Sequence, residues 1–245
     1  MTQLKFNKCV VIGQARVIEG RKAPPHVCTL AINLEAKEEK DLLIRFCPVF
    51  NKRNYNFPKR WDYVSFVGTK ENEIHPTDKR YSSWGIDEDY PFDTHDKASR
   101  SERNQIHRLL LNSFLPEEEL NKQRRSIGVM IPIGEMKFKW FEDESCKRHH
   151  ENMKLYHPEK KLMLTGQKNE LNCQLKKFKK TCVAWDVIEA YRKTNEISLP
   201  HNNPYCVIGN VLNHQISWVV VAILGAPDRY IEKYALKEEH QLSFT

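Results

Sequence analysis

The sequence predicts an α+β protein, built on a twisted, mainly antiparallel sheet or small barrel with two to four packed helices. Four apolar, β-branched runs follow one another before residue 70, too closely spaced for the long crossovers that parallel pairing needs. A capped segment with helical periodicity occupies the middle of the chain. Two more β-rich runs lie between Pro204 and Leu224. All 245 residues read as one integrated domain, with residues 136–182 as a basic excursion or subdomain.

The first run, Lys5 to Val17, is rich in Val and Ile, with Gly13 permitting a bulge. A basic turn with Pro24-Pro25 leads to a second strand from His26 to Glu35. Leu42 to Phe50 and Trp61 to Thr69 are the third and fourth strands. Glu71 to Asp96 shows neither strand nor helix periodicity and reads as a long loop able to rim a site. From Ser99 to Leu115, Ile106, Leu109, Leu110 and Phe114 fall at helical spacing, and Ser99 with Glu102 forms a capping-box pattern. Pro116 opens a short second helix with glutamates in its first turn. Ser126 to Ile133 is again strand, and Val183 to Lys193 is an amphipathic helix. The run ISWVVVAILG is apolar enough for a central strand covered on both faces.

Net charge of +7 and a pI near 8.9 favour anionic partners. Seven cysteines without a C-x-x-C pair are no disulfide framework and fit a reducing, cytoplasmic setting. The N-terminus has no secretory pattern. The longest apolar run, Ile216 to Ala226, is shorter than the roughly 20 residues a membrane helix needs, so a soluble protein is expected.

Function is read chiefly from Ile44 to Phe66. Arg45, Lys52, Arg53, Lys59 and Arg60 occur there without an acidic residue before Asp62, interleaved with Tyr55, Phe57 and Trp61. Cations can neutralise phosphates while flat rings stack on unpaired bases. Lys176, Lys177, Lys179 and Lys180 extend the same chemistry. The expectation is a non-enzymatic protein that binds DNA or RNA on a basic aromatic surface. One alternative is an interaction subunit that docks an acidic protein. Another is a metal-dependent nuclease using Asp87, Asp89 and Asp93, since paired cations at a phosphate need clustered carboxylates. Cys146, His149, Cys173 and Cys182 form a zinc alternative, although their spacing is irregular and free thiols are favoured. No cofactor is predicted beyond those Zn and Mg alternatives. Phosphate-cradling glycine motifs and the G-x-S-x-G elbow are absent.

The phrases VCTLAI from Val27, LIRFCPVF from Leu43, RRSIGVMIP from Arg124 and KKFKKTCVAWDVIEAYRK from Lys176, with the strand openings at Trp61 and Trp218, resemble in order those of an uncharacterised prokaryotic protein family. The resemblance implies one architecture and a subunit role in a prokaryotic defence or mobile-element complex. The chain departs from the family at its Cys-x-x-Gly-His element, where Thr181-Cys182-Val183-Ala184 runs straight into Trp185-Asp186-Val187.

Overall fold

Alternation in β1 (Gln3–Gln14) sends Phe6, Cys9 and Val11 into one core and Val10 and Ile12 into another, and all five are buried. A strand covered on both faces reads this way. The computed structural model describes residues 3–15, 26–50, 58–70, 82–87, 92–142, 160–169, 175–194, 196–197, 199–200, 203–211 and 214–227.

β1 pairs antiparallel with β2 (His26–Asn33), and β2 with β3 (Leu43–Phe50). β4 (Asp62–Lys70) returns along the other edge of β1. β5 (Ser83–Ile86) lies between β4 and β3, antiparallel to the first and parallel to the second. The ring therefore closes in the order β1-β2-β3-β5-β4-β1. β6 (Asp93–Lys97) continues along β4 beyond β5. The region 71–96 is thus not wholly loop. β5 has only four residues and β6 is exposed throughout, so neither carries a burial pattern; ladder hydrogen bonds define them.

α1 (Arg100–Asn112) begins with the expected reciprocal capping box between Ser99 and Glu102. α2 (Glu117–Lys122) follows Pro116. β7 (Ile127–Met130) then runs through Ile131 into β8 (Pro132–Glu142), which pairs with β9 (Lys160–Asn169), and β9 pairs with β10 (Leu175–Thr181). After α3 (Trp185–Thr194), β11 (Pro204–Val211) joins β7 to β12 (His214–Gly225). β12 reaches the end of β10 through the parallel bridge Cys182↔Val220, where the Val183 N–H donates to the Val220 carbonyl at 2.8 Å. Taking β7 and β8 as one bent strand, the second ring runs in the same order as the first. Within residues 136–182, the described strands β9, β10 and most of β8 are part of this second ring.

Three apolar cores follow from this doubling. Phe6, Val11, Ala31, Ile44, Phe46, Val64, Phe66 and Trp84 fill the first barrel, where Phe66 stacks on Phe6 at 4.8 Å. Met130, Met136, Leu164, Phe178, Ile208, Trp218 and Val220 fill the second. Between the barrels, the outer face of β1–β3 (Val10, Ile12, Leu30, Ile32, Leu43) meets Val129, Val207, Ala222 and Leu224, with Ile106, Leu110 and Leu111 of α1 closing the side. β7, β11 and β12 are consequently apolar on both faces, which explains the unbroken run in β12.

Candidate functional site

Of the residues singled out around position 50, Lys52, Arg53, Tyr55 and Phe57 lie outside the described residues. Arg45 projects from the outer face of β3 into the seam between the barrels, where Nη1 donates to the Asn210 carbonyl at 2.6 Å and Nη2 to Cys28 Sγ at 3.4 Å. Arg60 crosses the same seam. It donates to the Ile223 carbonyl at 3.2 Å and pairs with Asp186 at the start of α3. Trp61 is half-buried, with a positive φ of 74°. Its N–H donates to Val11 and its carbonyl accepts from Ala98, both at 2.8 Å, and these bonds hold a backbone conformation that costs a bulky residue energy. The Trp61 ring meets His107 edge-on at 5.3 Å and lies under Arg103. Lys59 is exposed at the mouth of β4. Thus Arg45, Arg60 and Trp61 do not form one exposed basic aromatic patch; each is engaged by protein groups.

The lysines of β10 separate by alternation. Lys176 and Lys180 share the side of Phe178, the inner side, and Lys180 pairs with Glu117 of α2 at 2.9 Å, beside Lys168 at 2.6 Å from the same carboxylate. Lys177 and Lys179 stand exposed on the outer side. β9 aligns Thr165 with both Lys179 and Lys137, Gln167 with Lys177, and Met163 with Lys139. Directly opposed residues share a face, so Lys137, Lys139, Lys177 and Lys179 form one exposed lysine field across β8–β9–β10. Glu135 is paired with Lys137 at 3.1 Å within it. Lys137 and Lys139 were missed from sequence, although a signal existed: Lys137-Phe138-Lys139 and Lys177-Phe178-Lys179 repeat one pattern. The phenylalanine turns inward and its two neighbours outward.

Two of the three nuclease carboxylates fall among the described residues. Asp87 accepts from Gln3 Nε2 at 2.5 Å, Asp93 is exposed on β6 opposite Ser65, and Asp89 lies outside the described residues. Cys182 is buried, and desolvation pushes its thiol up to about 12; Cys146, His149 and Cys173 lie outside the described residues. Among the described residues, no three His, Cys, Asp or Glu side chains converge as a metal-ligand set, and no helix is long and apolar enough to cross a membrane.

His107 of α1 is locked into the seam by a 2.8 Å hydrogen bond to the buried Tyr205 hydroxyl. Burial, then the charge of Arg60, lowers its pKa to about 4 from the usual 6.5. The unfolded chain takes up this proton near pH 6.5, whereas the folded chain resists it until about 4. The contribution is therefore fully present above 6.5 and lost as the pH falls through that window, to the extent of roughly 2–3 kcal/mol. Urea melts should show this loss of stability between neutral and mildly acidic pH, and His107→Phe should flatten it.

A closed ring of five strands in the order 1-2-3-5-4, with the third and fifth parallel, defines an OB-like barrel. The second ring repeats that order. No family model matches the sequence, and no curated protein is significantly similar to it. Among solved structures, a replication protein A heterotrimer bound to single-stranded DNA aligns with a TM-score of 0.41 at 8% identity, over 98% of this chain and 52% of that one. This chain spans about half the length of that chain.

Proposed function

We propose that the protein binds nucleic acid through the lysine field of its second barrel, contacting phosphates without strong sequence preference. One observation carries this reading: Lys137, Lys139, Lys177 and Lys179 stand on the outer face of that ring's first three strands, and OB barrels bind oligonucleotides on the face of their second and third strands. Lysine is a compact point charge with rotatable donors, suited to phosphate oxygens rather than to bidentate reading of base edges. Thr165 and Gln167 between the lysines add neutral hydrogen-bonding groups. On the corresponding face of the first barrel, Val10, Ile12, Leu30, Ile32 and Leu43 are instead packed against the second.

The test is fluorescence anisotropy with labelled oligo(dT) and oligo(rU), titrated at about 50 and 200 mM salt. Changing the four lysines to alanine should weaken binding about tenfold or more at the lower salt and reduce the log–log salt slope by about 3, at roughly 0.7 per single-strand phosphate contact. Changing Lys37 and Lys122, which are exposed elsewhere, should leave both quantities in place. Equal affinity and slope for wild type and the fourfold variant would refute the assignment. The subunit role implied by the family resemblance is part of this proposal only as a second use of the same face. Recovery of native protein with a stoichiometric acidic protein and no nucleic acid would reassign the face to that partner.

A further inference from the structure

Cys28 of β2 and Cys47 of β3 face each other on the outer side of the first barrel, with their sulfurs 2.6 Å apart. The ladder brings them there: β2 and β3 pair Val27 with Val49 and Thr29 with Phe46, and the register shift between those pairs leaves Cys28 alone against Cys47 and Pro48. Arg45 lies two residues before Cys47 on the same face, and its Nη2 donates to Cys28 Sγ at 3.4 Å. Cys28 is buried and Cys47 only half-buried, so an oxidant reaches Cys47 first. Cys9, Cys182 and Cys206 differ in kind: each is sealed in a barrel core, and burial raises its thiol pKa.

We propose that Cys28 and Cys47 are a dithiol site that a hydroperoxide converts reversibly into a cross-strand disulfide. The Cys47 sulfur attacks the peroxide; the O–O bond breaks, one oxygen leaves as water and the other remains on sulfur as a sulfenic acid. The Cys28 thiol then attacks that sulfur, the S–S bond forms and the S–O bond breaks, and the hydroxyl group departs with the proton released by Cys28 as a second water. Two thiols lose two electrons and two protons, and one hydrogen peroxide becomes two waters. A dithiol reductant reverses the change by exchange. The crosslink would join β2 to β3 beside Arg45, whose other nitrogen holds the second barrel at Asn210.

The experiment uses the native full chain treated with stoichiometric hydrogen peroxide, quenched and examined by intact mass, thiol titration after denaturation, and peptide mapping without reductant. The expected result is a loss of two hydrogen atoms, titratable thiols falling by two from seven, and a linked Cys28–Cys47 peptide, all reversed by dithiothreitol. Cys28→Ser should leave the sulfenic acid on Cys47 trappable by dimedone, and Cys47→Ser should abolish the mass loss. An unchanged thiol count, oxygen addition at Cys47 of the wild type without crosslinking, or a disulfide to any other cysteine would overturn the proposal.

Discussion

Glu117→Ala is expected to cost the fold about 3 kcal/mol, the largest loss from any single side chain considered, because it removes the carboxylate that two largely buried lysines share. Lys168 and Lys180 have side chains only 13% and 11% exposed, and both point at the Glu117 carboxylate. Desolvation of that carboxylate works to raise its pKa, but the hydrogen bond from Lys168 and the charge and hydrogen bond of Lys180 outweigh it, so the net direction is down. The unfolded state therefore binds the proton more readily. The stabilisation is fully present above the ordinary value of 4.5 and is lost as the pH falls through the lower folded value. Denaturant melts should place Glu117→Ala well below wild type at neutral pH, with the gap narrowing in acid. Replacing Lys168 and Lys180 with methionine in the same background should recover much of the loss, since an apolar trio carries no buried charge. If Glu117→Ala melts like wild type, the triad does not hold α2 to the wall of the second barrel.

Gly13→Ala should cost about 2–3 kcal/mol through overpacking at the seam. A methyl group there would sit 2.6 Å from the Ala222 Cβ and 3.2 Å from the Val221 carbonyl oxygen. Both atoms are fixed by the β12 backbone, so no flexible side chain can swing aside. The strands approach this closely because β1 of the first barrel and β12 of the second lie against each other around Ala222. Pairing Gly13→Ala with Ala222→Gly removes the nearer collision, so a double-mutant cycle should show a coupling of about 1 kcal/mol or more. Additive losses would mean that the barrels do not meet at this point.

Local elements were legible in the residues. Alternation in β1–β4, β11 and β12, the Ser99–Glu102 capping box and the stripe of α3 each depend on neighbours within a turn or a ladder step, so the order of amino acids carries them. β9 escaped notice because its polar outer residues and inner Leu162, Leu164 and Gly166 make a weak pattern beside a basic stretch. β5 and β6 escaped because neither shows a period in burial.

The sequence by itself determined the β-rich class, the helices and the abundance of cations near residues 50 and 178. Only the tertiary structure decided which cations share an exposed face. Arg45 finds its carbonyl 165 residues away, and Arg60 finds Ile223 163 residues away; no local pattern encodes acceptors at such separations. Lys137 and Lys179 sit in one row because β9 lies between their strands. Alternation says that a side chain leaves one face of its strand, but what covers that face, water or a second barrel, is settled when distant surfaces pack.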